Sequence, residues 1–376
     1  MRALVFNRTS EITNAPQLTR NRARCCLNGV GIQSSSVTPK FYSLSRIQEF
    51  APPRDVESVS AATLTSEDFR RNFIDKFRPC RIVGALEHWP AMRLWKSDEY
   101  LIGRVGKEKE VAVSTSPLFE SPNEEQLKHN LGSYLKMSFG DFMERASAPG
   151  SGHTVLYSHR VSEPNGYETK FANAHPLAPR HVEPDLRELF PDVDGFPFLA
   201  DARPSLRYPA YRAFVFRNAF TDWHFHPMDD ALMCQVDGAK EVLLTPPDEK
   251  SHALLSGLTK EYGGTFTKDV ASRFAGAEIY RAVVNPGDAL YIPVYWWHAV
   301  EALEDRRGIT IAATFRTPMA ISGDLRYPAA RELVKSLFAT SETGIAGALT
   351  KLRAGGVVAG AVTLSHLHRA RQALKR

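Results

Sequence analysis

The sequence predicts a mainly β (α+β) fold, in which a small β-barrel is flanked by helices towards both ends of the chain. Short apolar runs separated by glycine and aspartate turns recur through its middle and predict a series of strands. Histidines stand at the ends of two of these runs, which is typical of a metal site inside a barrel. No run of about 18 apolar residues occurs, so we expect neither a membrane-spanning helix nor a membrane partner.

Composition and patterning divide the chain into three segments: a leader at residues 1–46, a barrel domain at 47–318 and a helical segment at 319–376. The leader carries seven basic residues, one acidic residue and a cluster of serines. This composition is typical of a mitochondrial transit peptide, and a basic tail on a cytoplasmic or nuclear protein is the alternative. The helical segment is a candidate contact for a homodimer.

Charge is distributed unevenly along the chain. The formal net charge is +5, and the last 30 residues hold six basic residues and no acidic one. The middle of the chain is therefore net negative. Because nucleic acid is attracted to a basic surface on the folded domain, we expect a macromolecular partner that is protein rather than nucleic acid.

Two smaller expectations concern helix starts and cysteines. Residues 65–77 predict a helix capped by Ser66, and Ser138 is predicted to cap a later helix. Cys80 and Cys234 fall in apolar runs and are predicted to be buried thiols, which fits a reducing compartment.

Two histidines, His224 and His226, open the stretch around which the barrel is predicted to form. Successive side chains on a strand point to opposite faces, so these two histidines point the same way. The apolar run 231–236, the Asp237-Gly238 turn and the apolar run 242–244 predict a hairpin that begins at the histidines. Two imidazoles on one face can bind one cation, and neutral imidazole suits zinc, copper, iron and nickel.

A third histidine lies further along the chain. Pro286-Gly287-Asp288 predicts a turn, residues 289–292 predict a short strand, and His298 follows Pro293 and an aromatic run. A histidine pair and one distant histidine, each at the mouth of a strand, together predict a metal held inside the barrel.

The arrangement of these motifs resembles the JmjC family of Fe(II)- and 2-oxoglutarate-dependent oxygenases, and most closely its cupin-like (cupin_8-type) branch. The likeness extends over residues 65–318. The residues that carry it are Arg78-Pro79, Trp89-Pro90-Ala91, Thr221-x-x-His224, Gly238-Ala239-Lys240, Gly287-Asp288 and Trp296-Trp297-His298. The resemblance implies a double-stranded β-helix (jelly-roll) barrel, Fe(II) as cofactor and 2-oxoglutarate as co-substrate. It further implies hydroxylation of a protein side chain or a modified tRNA base.

The chain departs from the family at the second metal ligand. The family has a carboxylate two residues after the first histidine, and this chain has His226. Neutral imidazole brings no negative charge to the metal, so the site becomes one unit more positive. Asp229 and Asp230 are nearby carboxylates, and an older cupin pattern of His-x-His followed by an acidic residue fits Asp230. We therefore expect the metal ligands to be His224, His226 and His298, supplemented by Asp230.

The resemblance also implies a co-substrate site. The family has a hydroxyl three residues before the first ligand, which Thr221 matches, and a lysine in the hairpin turn that binds the distal carboxylate, which Lys240 matches. Tyr157 is matched to a tyrosine on an earlier strand. No catalytic residue beyond the metal ligands is assigned.

Two other functions remain open at this point. One is a catalytically inactive JmjC-like binding module, and the other is a three-histidine cupin dioxygenase that does not use 2-oxoglutarate. His226 is the residue that separates these alternatives. The sequence leaves the substrate unidentified, because the loops at residues 116–130 and 160–212 are expected to shape its binding.

Overall fold

A computed structural model provides the structure of the chain. It describes residues 44–116, 135–150, 153–162, 185–200, 202–205, 208–226, 229–262, 270–317, 325, 327–338, 355–356, 359, 363 and 367. These ranges leave out most of the predicted leader and much of both predicted substrate loops. His175 and His181, two further histidines in the loop at residues 160–212, are also outside them. Within the described ranges, no helix is both long and apolar enough to cross a membrane.

The described part of the chain is rich in strands. In chain order they are β1 Arg54–Asp55, β2 Ser58–Ser60, β3 Cys80–Val83, β4 Glu110–Ser116, β5 Leu135–Ser138, β6 His153–Arg160, β7 Arg203–Pro204, β8 Tyr211–Arg217, β9 Phe220–His224, β10 Asp230–Asp237, β11 Lys240–Thr245, β12 Tyr280–Val284, β13 Ala289–Ile292, β14 Trp297–Ala302 and β15 Gly308–Arg316.

Helices lie between and beside these strands. The α-helices are α1 Leu44–Phe50, α2 Ser66–Phe69, α3 Ala91–Leu94, α4 Asp98–Val105, α5 Phe139–Ser147, α6 Glu249–Tyr262 and α7 Pro328–Phe338. A π-helical turn, Arg70–Ile74, continues α2, and 3₁₀ turns occupy Arg187–Asp192, Pro197–Leu199 and Ala271–Phe274.

Helix caps test the predicted helix starts. The helix predicted at residues 65–77 is present in its first part, but its cap is Thr65 and not Ser66, because the Thr65 hydroxyl accepts the Asp68 backbone N–H at 3.1 Å. Ser138 caps α5 as predicted, since its hydroxyl accepts the Asp141 N–H at 3.1 Å. Replacing such a cap by alanine typically costs about 1 kcal/mol.

The strands form two sheets that face one another. The small sheet has the order β1-β12-β11-β14-β9, and the large sheet has the order β2-β3-β13-β10-β15-β8-β6-β4-β5, with β7 beside β15. The predicted hairpin is formed by β10 and β11 around Gly238, whose φ of +72° suits glycine. Its first strand begins at Asp230 and not at the histidines as predicted, because His224 ends a separate strand, β9. This arrangement confirms the predicted jelly-roll fold.

The sheets enclose an inner core and carry outer cores on their other faces. The inner core contains Met233 and Leu290 from the large sheet and Val242 and Val300 from the small sheet. The outer face of the large sheet packs beneath α2 to α5. Both faces of β10 are therefore buried, which explains why its sequence is apolar almost throughout rather than alternating.

Helix α1 covers part of the outer face of the small sheet. Leu44 and Ile47 are buried there with Leu243, and the Leu44 N–H donates to the Glu301 carboxylate at 3.0 Å. Burying a leucine side chain contributes about 1.5–3 kcal/mol. The last three residues of the predicted leader thus begin a helix that packs on the sheet. The two predicted buried thiols, Cys80 and Cys234, are indeed buried and unpaired by disulfide.

Candidate metal centre

Three histidines meet at one end of the space between the sheets. His224 ends β9, His298 lies on the neighbouring β14 directly opposite it, and His226 follows two residues after β9. One ligand atom from each imidazole can be chosen so that all three lie within 4.8 Å of one another. Ring centroids are 4.1 Å apart for His224 and His298, 4.8 Å for His226 and His298, and 5.3 Å for His224 and His226.

A β-bulge brings Thr221 to the same face as His224. A spacing of three residues on a regular strand would place the two side chains on opposite faces. Here His298 pairs with His224 and Val300 pairs with Thr221, so three steps along β9 match two steps along β14. The extra residue restores the alignment, and both side chains share the face of the inner-core residue Val300.

Backbone carbonyls fix the orientation of two of the imidazoles. Nδ1 of His224 lies 2.8 Å from the Asp222 oxygen, and Nδ1 of His298 lies 3.0 Å from the Trp296 oxygen. A carbonyl oxygen only accepts, so each Nδ1–H donates and each Nε2 keeps its lone pair. Such bonds orient metal-binding histidines and raise their basicity.

Desolvation keeps these two histidines neutral. It lowers the pKa of His224, against the opposing effect of the Asp222 carbonyl, and the positive charge of Arg212 lowers it further. Desolvation also lowers the pKa of His298 well below its usual value, and the proximity of His224 adds to this. A neutral imidazole is the form that binds a metal, so the site fits a divalent cation without first having to lose protons.

Asp230 does not join the three histidines. Its carboxylate accepts the Tyr291 hydroxyl at 2.9 Å, the Val294 N–H at 3.1 Å and the Thr317 hydroxyl at 3.0 Å. Burial raises the pKa of Asp230 to about 6, and these hydrogen bonds oppose the rise. Asp230 therefore ties β10 to the loop before β14 and to the end of β15, at a distance from the histidine group.

The reason that Asp230 points elsewhere is a break in the strand. His224, His226 and Asp230 would share a face if one strand ran through all of them. Instead β9 ends at His224 and a separate strand, β10, begins at Asp230. On β10 the inner-core residue is Met233, so Asp230 lies on the opposite, outer face.

Lys240 lies on the inner face of β11, towards the other end of the space between the sheets. It pairs with the inner-core residue Val284, and its ammonium lies 3.9 Å from the centroid of the Phe216 ring. Burial lowers the pKa of Lys240 to about 7. No ion pair to its ammonium is made within the described part of the chain.

The register of β11 against β14 gives the separation between Lys240 and the histidines along the strands. Leu244 on β11 is opposite His298, and Lys240 precedes Leu244 by four residues on the same face. Four residues of strand rise about 13 Å. Thr221 lies between these two levels, because its partner Val300 is opposite Val242. The backbone of Tyr157 lies in β6, and its side chain is outside the described part of the structure.

Two residues of this region escaped the sequence analysis. Tyr295 is buried and adopts a φ of +68°, and its N–H donates to the His226 carbonyl at 3.1 Å. Its position in the aromatic run between Pro293 and His298 was the available signal. Arg212 lies on the inner face of β8 and is only 6% exposed.

Comparison with known proteins identifies the family. The cupin-like domain model matches residues 66–318 of this chain. The tRNA wybutosine-synthesizing protein 5 of Danio rerio is 26% identical over 251 residues, covering 65% of this chain and 71% of that protein.

Two further relatives carry JmjC names. The Jumonji C domain-containing protein 5 of Drosophila melanogaster is 22% identical over 281 residues, covering 73% of this chain and 63% of that protein. The human bifunctional peptidase and (3S)-lysyl hydroxylase JMJD7 is 26% identical over 263 residues, covering 62% of this chain and 76% of that protein. The matched range contains all three histidines and every strand of the two sheets except β1 and β2, and the chain belongs to the JmjC cupin-like family.

Proposed function

We propose that this protein is an Fe(II)- and 2-oxoglutarate-dependent oxygenase that hydroxylates a macromolecular substrate, with the metal held by His224, His226 and His298. The observation that carries the proposal is the pairing of three converging imidazoles with a buried lysine on the same inner face, about 13 Å further along β11. One relative is named as a lysyl hydroxylase and others as tRNA-modifying proteins, which supports a macromolecular substrate.

The three imidazoles suit Fe(II), because imidazole is a ligand that iron, zinc, copper and nickel accept. Three protein ligands would leave coordination positions of a bound iron open to other groups. When bound there, iron supplies the oxygen activation that hydroxylation requires. The contribution of the chain is to present neutral Nε2 atoms in fixed orientations, through the carbonyls of Asp222 and Trp296.

Lys240 suits the distal carboxylate of 2-oxoglutarate. Among the described residues, the Lys240 ammonium lies against the Phe216 ring and makes no ion pair, so its charged form is costly in this desolvated place. A carboxylate would stabilise it through a charge-assisted hydrogen bond. An extended lysine side chain and a five-carbon diacid together bridge the strand rise between Lys240 and the histidines. Thr221 lies at the intermediate level, and its hydroxyl would donate to the same molecule.

Among the residues that the structure describes, no carboxylate joins the histidine group, and this favours the second candidate, a three-histidine dioxygenase that does not use 2-oxoglutarate. The buried Lys240 favours the 2-oxoglutarate-dependent oxygenase, because a dioxygenase that does not use 2-oxoglutarate has no need of a buried cation to bind its distal carboxylate. The negative middle of the chain supports a protein substrate over a nucleic acid.

Metal content by elemental analysis and 2-oxoglutarate affinity by calorimetry decide between these functions. The oxygenase predicts about one iron per chain after reconstitution, with 2-oxoglutarate binding that depends on the metal. Metal without 2-oxoglutarate binding would support the second candidate. If the protein binds neither metal nor 2-oxoglutarate, the result would support the catalytically inactive binding module.

The ligand role of His226 has its own test. His226→Ala should weaken Fe(II) binding, whereas His226→Asp should preserve it and raise uncoupled turnover of 2-oxoglutarate. His88→Ala is the matched control, because His88 is exposed and bonds to the Gly195 carbonyl far from the metal ligands in sequence. Equal iron content in all three variants would exclude His226 as a ligand.

A further inference from the structure

A second buried cation lies near the metal centre. Arg212 pairs with Ala312, which pairs with the inner-core residue Met233, so Arg212 points to the interior between the sheets. It precedes Phe216, the ring beneath the Lys240 ammonium, by four residues on the same face of β8. The two cations therefore stand at different levels, about 13 Å apart along the strand.

Arg212 is linked to His226 through the ring of Tyr208, and to His224 through its charge. Its guanidinium carbon lies 4.1 Å from the centroid of the Tyr208 ring, and the Tyr208 ring lies 6.4 Å from the His226 ring. Its positive charge is also one of the causes that lower the pKa of His224. The aromatic ring covers a face of the guanidinium and fixes its plane, so its N–H donors are confined to the edge.

The replacement of a carboxylate by His226 acts in the same direction. A carboxylate at this position would repel any second anion placed beside it, strongly so where water is excluded. A neutral imidazole removes this repulsion, and Arg212 adds attraction. The two features together favour an anionic group on the substrate.

Building on the proposed function, we propose that Arg212 binds a carboxylate of the substrate beside the metal, so that the substrate class is an acidic side chain or another carboxylate-bearing group. The planar guanidinium edge matches a carboxylate in two parallel hydrogen bonds. Arg212 is 6% exposed, and a backbone phosphate flanked by two sugars is too bulky to reach it. A carboxylate at the tip of a side chain is small enough to reach Arg212.

Acetate is the probe for this site. Its affinity is measured by saturation-transfer NMR on the full chain loaded with Zn(II) and saturated with 2-oxoglutarate, and in parallel on the protein without either. Arg212→Met should weaken acetate binding at least tenfold, and Arg212→Lys should weaken it less, because charge is kept and the planar edge is lost. Arg203→Met, at an exposed arginine of β7, should bind acetate as the unaltered protein does.

A second variant keeps the test informative if Arg212→Met fails to fold. His226→Asp preserves a metal ligand but restores the negative charge, and it should weaken acetate binding several-fold. Equal acetate affinity in the unaltered protein, Arg212→Met and His226→Asp would overturn the proposal, as would no acetate binding to the unaltered protein. Tighter binding of inorganic phosphate than of acetate would overturn the carboxylate assignment.

Calorimetry with 2-oxoglutarate separates this inference from the proposed function. Lys240→Met should lose 2-oxoglutarate affinity, whereas Arg212→Met should keep it. If both variants lose it equally, Arg212 belongs to the co-substrate site and the inference fails while the proposed function stands. If the unaltered protein binds no 2-oxoglutarate but still binds acetate through Arg212, the proposed function fails and the anion site stands.

Discussion

The two ends of the inner face bury ionisable groups with opposite consequences. At the histidine end, desolvation lowers the pKa of His224 and His298 and leaves neutral imidazoles with available lone pairs. At the other end, desolvation lowers the pKa of Lys240 to about 7 and makes its charged form costly. Desolvation thus favours the binding of a cation at the histidine end and of an anion at the Lys240 end.

The largest effect is expected from His298→Ala, which should abolish the cation site alone. Loss of a metal ligand should weaken Fe(II) binding by more than about 100-fold, since even the loss of a hydrogen-bonding partner of a ligand costs about 10–100-fold. Elemental analysis after reconstitution measures this. Iron content equal to that of His88→Ala would contradict the assignment.

The converse change is Lys240→Met, which removes the buried charge and keeps the length of the side chain. 2-Oxoglutarate affinity should fall at least tenfold, because the distal carboxylate loses its partner. The ligand-free protein should become more stable, by about 1–3 kcal/mol, since an uncompensated polar group is no longer buried. Calorimetry and urea unfolding measure the two effects. A less stable variant would show that the ammonium already has a strong partner.

The pH dependence of 2-oxoglutarate affinity sharpens the comparison. The folded pKa of Lys240 is about 7 and its ordinary value is 10.5. Between these values the unfolded chain holds the proton, so the stability of the ligand-free protein should rise with pH. Binding the diacid requires the charged form, so affinity should fall by up to about tenfold per pH unit above pH 7. Calorimetry on Lys240→Arg, which stays charged, should show a flatter profile.

The smallest expected difference is between two variants of Tyr295, whose N–H donates to the His226 carbonyl. Tyr295→Gly and Tyr295→Ala both remove the buried ring, and both should lower the free energy of unfolding by about 3–5 kcal/mol. They differ at φ +68°, where glycine is unstrained. The glycine variant should therefore be more stable than the alanine variant by about 1 kcal/mol. Urea unfolding of the pair measures the difference, and equal midpoints would exclude strain at this position.

Local pattern was enough to predict the strands and the residues that can bind ligands. The apolar runs of β10, β11 and β13, the hairpin turn at Gly238 and the spacing of His224 and His226 are properties of neighbouring residues. Side-chain chemistry then limits what those residues can bind. The jelly-roll fold also followed from the sequence, through the resemblance of its motifs to a known family.

Only the tertiary structure decided which faces these side chains occupy. The bulge between β9 and β14 aligns Thr221 with His224, and the break before β10 turns Asp230 away from the histidines. Arg212 is brought to the inner face by pairing between strands that are distant in sequence. Register across such pairs depends on the packing of the whole sheet, because a shift of one residue reverses every side chain.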